Sequence, residues 1–405
     1  MPAPATSYEA EVAVVGGGPA GLTAALALAN AGVPTALVAG HSTPGDNRTT
    51  ALLAGSVSAL DALGVWARCR DDAAPFRTMR IVDDTDRLWR APEVRFEAAE
   101  IGLDAFGWNI ENRHLVAALR ARASETEELV RIDDEARAIE IGDRDVTVAL
   151  AAGGKLTARL LIAADGRRSL CRAAAGIDTD SRSYPQTALT FNLGHTRPHR
   201  DISTEFHTAH GPFTLVPLPG LHSSLVCVVT PDEAERLRQL DGDALDAEIE
   251  RRAHSILGKV KVAPGQGVFR LGAETARRFA ARRIALVGEA GHVMPPIGAQ
   301  GLNLGLRDAA TIAELAVAAR RGGADIGGDA LIDEYDRRRR ADVKSRVAAV
   351  DLLNRTLLSD FLPAQGAHGL GLYVLDRIGP LRRAMMREGV APRIAEPRLM
   401  RGEAL

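Results

Sequence analysis

Residues 11–31 constrain this chain more than any other stretch. Glu11 to Val15, EVAVV, is a short apolar run that opens directly into Gly16-Gly17-Gly18-Pro19-Ala20-Gly21. From Ala20 to Ala31 the composition shifts to strong helix formers, and Gly32 supplies a stop. Thr35 to Val38 reads as a second strand, which completes a strand–turn–helix–strand unit. A GxGxxG match says little alone, but in this setting it is a dinucleotide-binding turn. Gly16 permits the tight turn, Gly18 lets the backbone approach a pyrophosphate, and Gly21 lets the helix lie close to the strand. The helix start at Pro19 and Ala20 offers N–H groups and partial positive charge to the phosphates.

One expected part is missing. The second strand ends Val38-Ala39-Gly40-His41, with no Asp or Glu to hold a ribose. Asp46, in the loop beyond, is the nearest substitute. The expectation is weakened ribose recognition and partial loss of the nucleotide on purification.

Two further segments have the same layout of strand, acidic turn and helix. Lys155 to Ala164 is alternating and then continuously apolar, and runs into Asp165-Gly166-Arg167-Arg168-Ser169 and a helical Leu170 to Ala175. A carboxylate ending a buried strand is costly unless donors surround it, so Asp165 needs partners. Alone, this is an ordinary capped turn. Arg283 to Gly288 is another apolar strand, ending at Glu289-Ala290-Gly291-His292. A Pro- and Gly-rich loop, Met294 to Gly301, then leads to a helix from Leu302 to Ala319. A carboxylate here can accept hydrogen bonds from a ribityl chain, and the helix start can face a ring edge that gathers negative charge. The three segments, in this order and at these separations, point to FAD.

Bulk composition narrows the alternatives. With 405 residues, 46% apolar and 25% charged, the chain is globular, and its formal charge of −2 argues against a nucleic-acid partner. Cys69, Cys171 and Cys227 stand alone, so neither a zinc cluster nor a dithiol redox centre is expected. The start MPAPATSYE lacks a basic, apolar signal pattern, and no apolar run approaches about 18 residues. The expectation is a cytoplasmic protein without a metal.

At this point the chain resembles the class A FAD-dependent aromatic monooxygenases of para-hydroxybenzoate hydroxylase fold, and among them the ubiquinone-biosynthesis hydroxylase family. The resemblance spans nearly the whole chain. It rests on Arg48-Thr49-Thr50-Ala51-Leu52 with Leu63-Gly64-Val65-Trp66, on Glu111-Asn112-Arg113-His114-Leu115, and above all on the run from Pro295 to Asp308, PPIGAQGLNLGLRD. It implies an α/β fold, with a Rossmann-like FAD-binding domain interleaved with an antiparallel-sheet substrate domain and followed by a helical tail. By resemblance, Arg48 and Arg113 flank the diphosphate and ribityl region, and Asp165 belongs to the DG motif. Glu289 takes the ribityl role, where the family pattern has Asp. Pro295, Gly298, Gly301, Leu302 and Asn303 complete the cofactor-binding set. His292 reads as a hydrogen-bonding strut at the turn, and no catalytic side chain is assigned.

The reaction follows from the same resemblance. Reduced flavin, with NAD(P)H as electron donor, takes up O₂ to form a C4a-hydroperoxyflavin, and an electron-rich ring attacks the distal oxygen. The polypeptide orients the ring and excludes water. There is no second strand–GxGxxG–helix unit and no cysteine pair, as a disulfide reductase would need. Lys155, Lys259, Lys261 and Lys344, the only lysines, do not suit a halogenase. The leading reading is hydroxylation of a polyprenyl phenol in ubiquinone biosynthesis. The alternatives are the same chemistry on a small soluble phenol, a flavin-dependent prenyl reductase, and a non-catalytic scaffold.

The FAD-binding domain is expected from 8–75, 100–180 and 268–350, the substrate sheet from 76–99 and 181–267, and a helical region from 351–405. Strand-like runs at Met79 to Asp83, Val94 to Ala98, Gln186 to Gly194, Ser203 to His207, Gly211 to Pro217 and Ser223 to Thr230 build the sheet. Leu215, Pro217, Val226 and Val228 line either a pocket or plain core. Asp333 to Leu353 is an arginine-laced helix. In the tail, apolar residues interleave with Arg377, Arg382, Arg383 and Arg387, which suits either a membrane surface or packing on the FAD core or a partner subunit. Homo-oligomers and a biosynthetic complex both stay open.

Overall fold

Five of the apolar strands lie parallel in one sheet, because each is followed by a helix or long excursion that returns the chain to the same edge. A computed structural model describes residues 6–40, 48–85, 90–296, 298–358, 378–390 and 396–405. The parallel strands run in the order Ile284–Leu286, Lys155–Ala163, Ser7–Val15, Thr35–Val38, Leu129–Ile132. The register sets Val15 beside Ala163 and Val38, Ala163 beside Leu286, and Val38 beside Ile132. All five carboxyl ends therefore reach one edge, where ligands bind in open α/β sheets. Val146–Leu150 and Ala136–Ile141 branch antiparallel from Lys155–Ala163, and Ala280–Ala281 closes the far side.

Helices Pro19–Asn30 and Gln300–Arg321 cross one face of this sheet and share a core with Val12, Val14, Leu160 and Ile162. The second helix begins two residues before the expected Leu302. Ala299 holds a left-handed φ of 54° directly after Gly298 at 66°, and this turn sets the helix start. Helix Asp329–Leu358 is longer at both ends than the expected 333–353.

A nine-stranded sheet roofs the carboxyl edge. Its order is His292–Val293, Gly267–Ala276, Thr179–His195, His222–Val229, Gly211–Leu218, Ile202–Thr208, Thr78–Asp83, Val94–Glu97, with Val260–Val262 added to Thr179–His195. Thr179–His195 slips register against Gly267–Ala276 between Ser183 and Thr187, around Pro185, which has no N–H to donate. The roof departs from the expected antiparallel sheet at one pair, since Ile202–Thr208 runs parallel to Thr78–Asp83. Those strands are far apart in sequence, and no hairpin forces them to oppose.

Thr49–Leu53, Gly107–Glu111 and Ala73–Phe76 form a small third sheet where the two halves meet. In the tail, helix Gly379–Val390 packs Met386 with Phe76, Val94, Phe96 and Phe106, while Arg382 pairs with Glu100 and stacks on Phe96. Residues 359–377, including Arg377, lie outside the described residues, as does Asp46.

Candidate flavin site

The three acidic or glycine turns of the sequence converge. A Cβ on Gly16, whose φ is +121°, would sit 2.1 Å from the Ala164 carbonyl oxygen, so the first turn presses against the second. A Cβ on Gly305 would sit 3.2 Å from the Gly288 Cα and 3.4 Å from the Ala20 Cβ, so the third segment presses against the first helix. At Gly18 the reverse holds: a Cβ would meet nothing within 4 Å. Gly18 caps helix Pro19–Asn30 with no side-chain partner, which leaves first-turn N–H groups facing open space. Tight packing behind the turn and room in front of it suit a pyrophosphate.

Asp165 has the donors its position demands: it accepts from the Ser169 hydroxyl at 2.6 Å and the Cys171 N–H at 3.1 Å. Both belong to the capped start of Leu170–Ala174, so the ordinary turn role is also present. Glu289 is exposed in the short 3-10 turn Gly288–Ala290, at the end of its strand. Pro295 is buried, whereas Gly298 and Gly301 are exposed and Leu302 is half-buried.

The side-chain amide of Asn303 is engaged within the protein. Its Nδ2 donates to the carbonyls of Ala51 and Ala299, and its Oδ1 accepts from the Leu53 N–H and the Ser56 hydroxyl. The amide is spent on joining the helix start to strand Thr49–Leu53, leaving only its backbone for a cofactor. The joint continues outward. Ala51 pairs with Asn109, whose Nδ2 donates to the Pro217 carbonyl at 3.0 Å and the Ser224 hydroxyl at 2.9 Å in the roof.

Arg48 and Arg113 are brought together because the Asn112 N–H donates to the Arg48 carbonyl at 2.9 Å. Arg48 is exposed and lies over the Phe269 ring at 5.8 Å, and Arg113 is 60% exposed with Glu111 at 3.0 Å.

Behind the third turn is a buried charge network. Asp308 accepts from the Gly288 N–H at 2.9 Å and from Arg339 Nε at 2.6 Å, and lies 2.7 Å from His292 Nε2. Burial pushes the Asp308 carboxyl up. The charges of Arg339 and His292 and the bonds from His292 and Gly288 outweigh that and hold it below the ordinary range. His292 is the strut the sequence suggested. The three cysteines are buried, which pushes their thiols up, Cys69 and Cys227 to about 11, as befits inert side chains.

A cleft of about 380 Å³ opens beside the glycine turn, bounded by Gly17, Ala39, Gly40, Arg120 and Asp133 among others. Here the sequence reading missed a carboxylate. The acid absent from the end of Thr35–Val38 has a counterpart one strand over, where Asp133 follows Leu129–Ile132. Glu135 lies near it, with Cγ 2.7 Å from where a Gly40 Cβ would be. The signal was available, since DDE directly follows the strand LVRI. Among the described residues no acidic, His or Cys group is arranged to hold a metal ion, and no helix is long and apolar enough to cross a membrane.

This geometry agrees with what the chain is similar to. Residues 9–350 match the family model described as an FAD binding domain. Ubiquinone hydroxylase UbiL of Rhodospirillum rubrum is 36% identical over 406 residues, covering 98% of this chain and 94% of that protein. The 3-demethoxyubiquinol 3-hydroxylase of Escherichia coli is 30% identical over 396 residues, covering 94% and 98%. Among solved structures, the p-nitrophenol 4-monooxygenase PnpA of Pseudomonas putida shares the fold, with a TM-score of 0.76 at 24% identity, over 94% of this chain and 96% of that one. The chain belongs to the FAD-binding domain family and, within it, to the ubiquinone-hydroxylase group of FAD-dependent monooxygenases.

Proposed function

We propose that this chain hydroxylates the aromatic ring of a polyprenyl phenol in ubiquinone biosynthesis, using FAD, O₂ and NAD(P)H. The observation that carries the reading is the full-length relation to a ubiquinone hydroxylase, 36% over 98% of the chain. FAD, when bound, supplies the electrons and the activated oxygen. The polypeptide supplies the rest. The N–H groups of Pro19–Asn30 after Gly18 hold the pyrophosphate, with Arg48 and Arg113 beside it. Asp133 takes the place of the missing ribose acceptor. Asp165 and Glu289 accept from the ribityl side, and the segment Pro295 to Asn303 faces the isoalloxazine. The roof sheet orients the phenol and keeps water out.

Purified protein given FAD, NADH and 2-geranylphenol in air is expected to form a catechol or quinol in step with NADH consumed. A deletion strain grown in air is expected to accumulate a quinone precursor lacking one hydroxyl. Coupled turnover of a hydrophilic phenol in preference to 2-geranylphenol would move the reading to a soluble substrate, and product formed without oxygen uptake would end it.

A lipid-soluble substrate gives a reason for the tail. Ile378, Leu381 and Met385, exposed by 47%, 46% and 51%, recur near helical spacing beside the exposed Arg383 and Arg387, while Arg382 turns inward to Glu100. Such a face suits peripheral contact with an anionic bilayer. Flotation with phosphatidylglycerol liposomes is expected for the full chain and reduced in a Leu381→Glu/Met385→Glu variant; equal partitioning removes the idea.

A further inference from the structure

The roof sheet carries a buried polar cluster with no part in the crevice described above. On Ile202–Thr208, Phe206 packs with Phe213 and Leu215 on the face covered by helices Pro231–Arg238 and Gly242–Arg252. Glu205 and His207, on either side of Phe206, therefore lie on the opposite face. That face turns toward the FAD half: Val216 packs with Ala51, Leu53 and Ala54, and Ser224 bonds to Asn109. His207 Nε2 is 2.7 Å from Glu205 Oε1, and the Thr214 hydroxyl donates to Glu205 Oε2 at 3.1 Å. His207 is 5% exposed and Glu205 21%. Glu205 stands in register with Ile81 and Thr214, and Thr214 with Val226, so its surroundings are otherwise largely apolar.

A carboxylate on such a face is expensive unless it is used or fully paired. Each oxygen of Glu205 has one named partner, and a carboxylate oxygen can accept two hydrogen bonds. Burial pushes the carboxyl up, but the His207 bond and charge, with the Thr214 hydroxyl, outweigh it and keep the group ionised at neutral pH.

We propose that Glu205 is the acceptor for the phenol O–H of the aromatic substrate, and that its charge restricts the site to phenols without a carboxylate of their own. His207 and Thr214 are positioning residues. The inference rests on the reading of this chain as a phenol hydroxylase. As a ring carbon takes up oxygen, the phenol O–H bond breaks: its proton goes to Glu205 and its electron pair enters the ring. When the ring regains aromaticity it sheds the C–H proton to water, and Glu205 returns its proton to the phenol oxygen. O₂ and NAD(P)H, already co-substrates of that reaction, supply the oxygen atom and the two electrons, and the second oxygen leaves as water.

The test compares 2-allylphenol with its carboxylated counterpart, 3-allyl-4-hydroxybenzoate. The FAD-loaded wild type is expected to favour 2-allylphenol by about 100-fold or more in kcat/KM. Glu205→Gln is expected to keep its flavin spectrum, lose about 100-fold in kcat on 2-allylphenol, and show less than about tenfold discrimination. Should that variant lose flavin or melt early, His207→Gln serves instead: it leaves the carboxylate in place and is expected to lower kcat about tenfold while discrimination persists. An active wild type whose kcat and discrimination are both untouched by Glu205→Gln, or a His207→Gln enzyme that loses discrimination, overturns the assignment and leaves the hydroxylase reading standing. A flavin-loaded wild type inert toward both phenols and toward 2-geranylphenol overturns the hydroxylase reading itself, and this inference with it.

Discussion

In the FAD half the groups at the first turn are backbone N–H groups beyond Gly18, where there is open space, on a turn packed tightly from behind through Gly16 and Gly305. In the roof the groups are side chains, Glu205, His207 and Thr214, selected by which way each strand faces. The first kind of site depends on what is left out and tolerates no added atom behind the turn. The second depends on register, and a one-residue slip would turn Phe206 toward the FAD half and Glu205 toward the helices. The two halves are joined by amides, Asn303 on Ala51 and Asn109 on Pro217 and Ser224, alongside the packing of Val216 on Ala51 and Leu53 and the pairs of Glu274 with Arg167 and Arg172.

The sharpest way to break this contrast is at two glycines of the same turn. Gly16→Ala must fit a Cβ 2.1 Å from the Ala164 oxygen at a φ of +121°. It is expected to lose about 3 kcal/mol or more in urea denaturation. Gly18→Ala places its Cβ in open space at a φ of −76°, so stability should stay within about 0.5 kcal/mol of wild type. Its FAD affinity should nonetheless fall about tenfold or more, measured by flavin fluorescence. If Gly18→Ala bound FAD normally, the phosphates would lie elsewhere.

A comparable loss is expected behind the turn. Asp308→Ala takes one of two carboxylates from buried Arg339, which keeps Asp342, strands buried His292 and removes the acceptor of the Gly288 N–H, for about 3–5 kcal/mol. Because the folded carboxyl is held below its ordinary value, its contribution is present above that value and lost as pH falls through the folded one. Thermal melts across acidic pH should therefore fall more steeply in wild type than in the variant. Parallel curves would show that the network does not carry the turn.

The joint between the halves predicts a smaller effect of a different kind. Asn109→Ala removes two buried hydrogen bonds and leaves the Pro217 carbonyl without that donor, for about 1–3 kcal/mol. Flavin content should be unchanged, since no glycine turn is touched. Product formed per NADH consumed should drop, because the roof is no longer set over the ring. A variant with loosened flavin but intact coupling would reverse the assignment of roles between the halves.

The same contrast explains what the sequence disclosed. A strand running into glycines and then into alanines is local, so the first turn could be read with its partners out of view. The strands of the roof were equally visible, but not their facing. Leu215 was a candidate for the pocket, yet it shares the helix-covered face with Phe206 and Phe213, while Val226 and Val228 lie on the other face. Glu205 and His207 were passed over, although a polar pair two apart around a phenylalanine marks a strand with a polar site on its inner face. Asn303 was assigned to the cofactor because its neighbours belong there, and only the contacts with Ala51, Leu53 and Ser56 reveal where its amide goes. Asp133 was missed because the expected acid is sought at the end of one strand, and parallel pairing to Leu129–Ile132 puts a substitute at the end of the next.

The smallest effect belongs at the other edge of the parallel sheet, and it tests whether function is confined to the carboxyl end. Arg283 opens strand Ile284–Leu286 and pairs with Asp325 at 2.7 Å, and Arg159 approaches the same carboxylate at 3.0 Å. The hydrogen bond from Arg283, aided by the Gly327 N–H and set against burial, holds the Asp325 carboxyl at about 2. Asp325 is 39% exposed, so water and salt screen the pair, and Asp325→Asn should cost less than about 1 kcal/mol. That contribution is present above the unfolded carboxyl value of about 4 and disappears as pH falls toward 2. The variant and wild type should therefore differ slightly at pH 7 and converge in acid, with identical FAD affinity throughout. A change in flavin binding from this substitution would mean that the two edges of the sheet are coupled, and that the crevice is not held by its glycine contacts alone.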